Sequence, residues 1–167
     1  RRTSGPNSNW DSNTAYLDVG RADGVTEGMP VVNADGLLGQ VEKAYETRSQ
    51  IRLITEVDLR FSVRIGDQGL PGVGHGVGTF DRPWVIDSAV DLGADVSLGQ
   101  QVVTSGVADS RFPADLPVGT VGRIQADDAR KLTRLYVNLA ADFATFDFVQ
   151  VIKWTPDGPR PDTTPEA

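Results

Sequence analysis

Short runs of β-favouring residues, each closed by turn residues, limit what this chain can fold into. In the first half they recur about every ten positions, at 16–19, 29–32, 37–44, 50–55, 61–65 and 72–77. Asp23-Gly24, Asp35-Gly36 and Gly66-Asp67 fall between them, and such pairs supply the positive φ or local hydrogen bond that tight connections need. After Asp81-Arg82-Pro83 a second ladder follows at 84–89, 100–104, 118–125, 132–139 and 148–154. Strands this short, at this spacing, predict an antiparallel sandwich or barrel rather than helices.

Alternation supports the strand reading. Ile51 and Leu53 fall on one face and Arg52 on the other, with Ile54 expected beside Arg52. In the later run Leu135, Val137 and Leu139 alternate with Arg134, Tyr136 and Asn138, the period of a half-buried strand. Helix signals are few. One short turn is expected over 140–146, where Asp142 can cap and Phe143 and Phe146 lie one turn apart.

The two ladders share a frame. Val25, Gly28, Val31 and Val32 recur 71 positions later as Val96, Gly99, Val102 and Val103, each as V-x-x-G-x-x-V-V. Gly39-Gln40-Val41 and Gly119-Thr120-Val121 then open the next strand in each copy, the second through a longer loop holding Phe112-Pro113. Two readings stand at this point: a duplicated fold, in which Val31 and Val102 occupy equivalent strands, or recurrent turn grammar.

The 167 residues, 39% of them hydrophobic, suffice for one globular domain or two small barrels. The expected architecture is all-β: two small antiparallel β-barrels of about six strands each, with little helix. The expected division is a linker at 1–13, a first barrel at 14–80, a second at 81–154 and a disordered proline-rich tail at 155–167.

With 23 acidic and 16 basic residues the formal charge is −7, which repels nucleic acid and anionic lipid. Arg1-Arg2 and Arg130-Lys131 are the only adjacent basic pairs and make no patch. No cysteine is present, so disulfides, thiolate metal sites and cysteine nucleophiles are excluded. No apolar run approaches the ~18 residues of a membrane helix.

Catalytic signatures are weak. His75, the only histidine, sits in Gly72-Val73-Gly74-His75-Gly76-Val77-Gly78, which lacks the G-x-G-x-x-G spacing and the lysine of a phosphate loop. The order His75, Asp87 or Asp91, Ser105 matches that of chymotrypsin-like enzymes, but Ser105 follows Val103-Thr104 instead of the G-D of their G-D-S-G. The acidic residues are dispersed, with no calcium-loop pattern. No enzyme, cofactor or metal is expected. The aromatics Trp10, Phe80, Trp84, Phe112 and Trp154 lie near strand ends or loops, where they either plug a barrel or anchor a partner. On the second reading Phe80, Trp84, Phe112 and Pro113 are the candidate partner-binding residues, and the loop 107–117 is the first place to look for a contact.

Four segments together carry a family resemblance. Residues 98–119 contain Leu98-Gly99-Gln100-Gln101-Val102-Val103-Thr104-Ser105-Gly106 and Phe112-Pro113-Ala114-Asp115-Leu116-Pro117-Val118-Gly119. Upstream stand Asp23-Gly24-Val25-Thr26-Glu27-Gly28-Met29-Pro30-Val31-Val32, Gly36-Leu37-Leu38-Gly39-Gln40-Val41 and Ser49-Gln50-Ile51-Arg52-Leu53-Ile54-Thr55. In this order they resemble the extracytoplasmic domain of the MreC family of rod shape-determining proteins. Glu56 and Gln101 stand where that pattern has aspartate, and Ala114-Asp115 where it has x-Gly. The resemblance implies a two-barrel scaffold of cell-wall elongation on the extracytoplasmic face of the bacterial cytoplasmic membrane. It implies self-association, binding of a class B penicillin-binding protein, MreD as a membrane partner, and anchoring by an N-terminal helix upstream of the matching residues. A carbohydrate- or peptidoglycan-binding β domain is the alternative.

Overall fold

A computed structural model describes residues 14–78, 84–88, 90–91, 93–107, 111–141 and 149–154. The described residues are all-β apart from a single 3-10 turn at Arg21–Asp23. The strands are β1 (Thr14–Leu17), β2 (Pro30–Val32), β3 (Leu37–Ala44), β4 (Ser49–Leu53), β5 (Phe61–Ile65), β6 (Leu70–His75), β7 (Trp84–Ser88), β8 (Gln101–Thr104), β9 (Pro117–Asp127), β10 (Leu132–Leu139) and β11 (Gln150–Val151). They form two antiparallel units, a five-stranded sheet ordered β1-β4-β3-β2-β11 and a closed barrel ordered β10-β7-β6-β5-β8-β9. The all-β expectation holds. The helical turn expected over 140–146 falls largely outside the described residues, as do the linker 1–13 and the tail from 155. Among the described residues no helix is long and apolar enough to cross a membrane.

The duplicated frame is structural. Gly28 and Gly99 both take left-handed backbone, at φ 91° and 85°, a conformation open to glycine at little cost. The Gly28 N–H donates to the Val41 carbonyl at 2.9 Å and the Gly99 N–H to the Val121 carbonyl at 2.8 Å. In return Val41 donates to Met29 and Val121 to Gln100, each at 2.9 Å. Val31 then pairs with Gly39 and Val102 with Gly119, and in both ladders the register slips at the next residue, to Val32–Leu37 and Val103–Pro117. A Cβ on Gly39 would lie 2.1 Å from the Arg52 carbonyl, and one on Gly119 would lie 2.1 Å from that of Asn138. Thus β2, β3 and β4 correspond to β8, β9 and β10.

The units do not divide where the sequence suggested. A boundary between 80 and 81 would place β5 and β6 with the first sheet, yet both belong to the barrel: β5 pairs with β8 and β6 with β7. Conversely β11, near the end of the described chain, pairs with β2. Each repeat therefore sends the strand after its β-meander to the other unit. Local strand spacing carries no record of such an exchange, because pairing partners are chosen by long-range burial.

Burial follows the alternation. Ile51, Leu53, Leu135 and Val137 are fully buried and Arg52 is half-buried. Ile54 departs from it: β4 ends at Leu53 and the chain turns, so Ile54 is also fully buried. A single hydrophobic cluster runs through both units, from Leu17, Val31 and Leu53 to Phe61, Trp84 and Leu135.

Candidate functional site: the seam between sheet and barrel

Between β8 and β9 the chain makes the longer loop that distinguishes the second repeat. Thr104, fully buried, organises its return. Its Oγ1 donates to the Pro113 carbonyl at 2.6 Å and accepts the Leu116 N–H at 2.9 Å. Its backbone N–H donates to the Leu116 carbonyl at 3.0 Å, and its own carbonyl accepts the Asp115 N–H at 2.9 Å. A hydroxyl used as donor and acceptor at once explains why a threonine ends this strand. The following Ser105 N–H donates to Ser62 of β5, so Thr104-Ser105-Gly106 is a strand-ending turn.

The loop is fastened to both units. Phe112 is fully buried and meets Phe61 edge-on at 4.8 Å between centroids, and Phe61 in turn packs against Trp84 at 4.8 Å. From the five-stranded sheet, Gln40 Nε2 donates to the Arg111 carbonyl at 3.0 Å and to the Gly28 carbonyl at 3.1 Å. Asp115, at φ 71°, pairs with Arg64 of β5. An open groove of about 390 Å³ crosses the same seam, with Asp35 of the sheet facing Gln101, Val103, Pro117, Thr120 and Asn138 of the barrel.

This geometry corrects the expected anchors. Trp84 and Phe112 are 1% and 0% exposed, so they fill the barrel and offer no free surface, in line with the packing strength of buried aromatics. Pro113 is half-buried and is used through its carbonyl. Phe80 lies outside the described residues. Among the described residues of the loop 107–117, Val107, Arg111, Ala114, Asp115 and Pro117 are exposed.

The histidine has a different use from any weighed in the sequence. His75 Nε2 lies 2.8 Å from Asp87 Oδ2, and Nδ1 lies 2.7 Å from the Gly76 carbonyl. Both ring nitrogens are engaged, and neither is left to accept a proton from a serine. Asp87 also meets Arg60, from the segment joining β4 to β5, at 3.5 Å. Burial pushes the Asp87 carboxyl up, but the hydrogen bond and charge of His75, with the charge of Arg60, outweigh it and hold the group below its usual range. The pair ties β6, β7 and the connection from the first sheet together. No three His, Asp or Glu side chains among the described residues converge as a metal site requires.

Sequence reasoning missed Gln40, which reaches from the sheet to the loop, and Arg64, whose partner lies 51 positions away; it named Asp87 beside His75 but only in the order of a catalytic triad. One signal existed: Asp115 replaces the glycine of the resembling pattern, and a glycine there marks a left-handed residue.

Comparison with known proteins matches the family model "Rod shape-determining protein MreC, barrel core" over residues 4–153. The chain is 34% identical over 140 residues to the cell shape-determining protein MreC of Cereibacter sphaeroides, covering 84% of this chain and 43% of that protein. It is 27% identical over 148 residues to MreC of Listeria monocytogenes, covering 87% and 50%. The chain thus spans about half the length of these relatives or less. Among solved structures, MreC from Pseudomonas aeruginosa superposes with a TM-score of 0.82 at 27% identity, over 90% of this chain and 96% of that one. The major periplasmic domain of the cell shape-determining filament MreC gives 0.68 at 25% identity, over 90% and 89%. MreC in a complex with penicillin-binding protein PBP2 from Helicobacter pylori gives 0.60 at 22% identity, over 84% and 85%.

Proposed function

The chain belongs to the MreC family of rod shape-determining proteins, and on that premise we propose that it is a non-catalytic extracytoplasmic scaffold of cell-wall elongation. It binds and activates a class B penicillin-binding protein, self-associates, and works beside MreD at the membrane through an N-terminal anchor. The observation that carries this reading is the sheet-and-barrel architecture, which aligns over 84% of the chain with the MreC partner of a PBP2 complex. The filament description of a second structural relative supports self-association. A scaffold acts by differential binding to its partner's states, with no covalent step. The occupied nitrogens of His75 suit that role.

The test is direct binding of the purified chain to the ectodomain of its own organism's class B penicillin-binding protein, run beside peptidoglycan fragments. Saturable binding to the transpeptidase, with a rise in its activity, is the expected result. Binding to glycan alone would replace the scaffold with the carbohydrate-binding alternative.

A further inference from the structure

The β9–β10 hairpin outruns the barrel that supports it. β8 pairs with β9 only at Pro117, Gly119 and Thr120, and the last backbone bonds on that side join Val121 to Gly99 and Gln100. β10 accompanies β9 on its other side as far as Asp127. From Gly122 to Ala126, then, one edge of β9 is paired and the other has no strand beside it among the described residues. Every residue of this stretch is exposed. An unpaired edge with accessible backbone groups is a template for another extended chain.

Its side chains specify what chain would fit. Ile124 is 39% exposed on this stretch, and Leu98, 66% exposed, directly precedes the Gly99 that bonds Val121. On the opposite face Arg123 lies 5.2 Å over the Tyr136 ring, whose hydroxyl donates to Gln125 at 3.2 Å, and Gln125 stands opposite Arg134 in the ladder. The guanidinium of Arg123 is thereby held in place, and pre-organised arginine and tyrosine concentrate binding energy. Residues 122–136 carry Arg123, Arg130, Lys131 and Arg134 against Asp127 and Asp128, in a chain of net charge −7. Asp127 is already engaged by Arg130. Two copies joined edge to edge would set these cations against each other, which disfavours a second copy as the occupant.

We propose that the outer edge of β9, from Gly122 to Ala126, is a strand-addition site for an acidic extended segment of a partner protein. Its backbone extends the sheet, its carboxylates meet Arg123 and Arg134, and its apolar side chains meet Ile124 and Leu98. The site stands whichever protein supplies the segment.

The test is an NMR titration of the isotope-labelled full chain with a synthetic peptide of alternating valine and glutamate, beside a valine–lysine counterpart. Amide shifts confined to Gly122–Ala126 and their β10 neighbours are expected. Binding should weaken at least about tenfold for the lysine peptide and for Arg123→Glu with Arg134→Glu, and less for Arg123→Gln, which keeps a polar side chain without the charge. Spectral dispersion of each variant reports its folding. Equal binding of both peptides, shifts centred elsewhere, or none at millimolar peptide would overturn the proposal. Concentration-dependent self-association abolished by Arg123→Glu would also overturn it, by giving the edge to a second copy.

Discussion

Asp115 shows how one residue reconciles a family pattern with a departure from it. Its φ of 71° is the left-handed conformation that glycine adopts freely, and the aspartate there gains an ion pair with Arg64. Asp115→Ala keeps the left-handed backbone and loses the exposed pair, so it should destabilise by about 0.2–1 kcal/mol. Asp115→Gly loses the pair but relieves the strain and should lie within about 0.5 kcal/mol of the parent in denaturant unfolding. Asp87 gives a pH signature with a defined sign. Its carboxyl is held below the usual range, so the ionised group stabilises the fold fully above the unfolded-state value, near 3.9, and the contribution disappears as pH falls through the lower folded value. The stability difference between the parent and Asp87→Asn should shrink as the pH falls below about 4. A difference that instead grew as the pH fell below about 4 would contradict the stabilisation of the Asp87 carboxylate by its partners. The Arg64–Asp115 pair was not legible in the sequence, since its members lie 51 positions apart and meet only once β5 and the loop are in place.

At the scale of elements the sequence was far more legible, because the repeated V-x-x-G-x-x-V-V encodes local backbone geometry. A positive-φ glycine, a two-strand crossing and a register slip recur together in β2–β3 and β8–β9. The close approaches at Gly39 and Gly119 make these the least replaceable positions of the frame. Gly39→Ala and Gly119→Ala should each cost several kcal/mol, about 3 or more, since a methyl group would be driven into backbone that cannot move aside. Thermal unfolding of the two variants checks this. The loop unique to the second repeat was read as a surface for partners, since aromatic residues at strand ends serve either purpose. Its role is decided by Phe112, which enters the Phe61–Trp84 cluster. Phe112→Ala should destabilise by about 3–5 kcal/mol.

The whole molecule is where local pattern ran out. Strand spacing placed the boundary between 80 and 81, whereas pairing sends β5 and β6 forward into the barrel and brings β11 back to β2. Gln40 and the core cluster cross the seam as well. Neither unit can be completed without strands that the other repeat supplies in sequence, so the two should unfold together as one transition, with equal calorimetric and van't Hoff enthalpies. Cutting the chain at 80 tests this more sharply. Residues 1–80 would carry β5 and β6 without β7 and β8, their barrel neighbours, and would lack β11. Apolar faces such as Phe61, Val63 and Ile65 would then be left without the barrel core they fill. The expected fragment is poorly folded, with collapsed amide dispersion, and mixing it with residues 81–167 should restore the dispersed spectrum. Independent folding of residues 1–80 would mean that the exchanged strands are dispensable to the first sheet, and that the two units are coupled only at their surface.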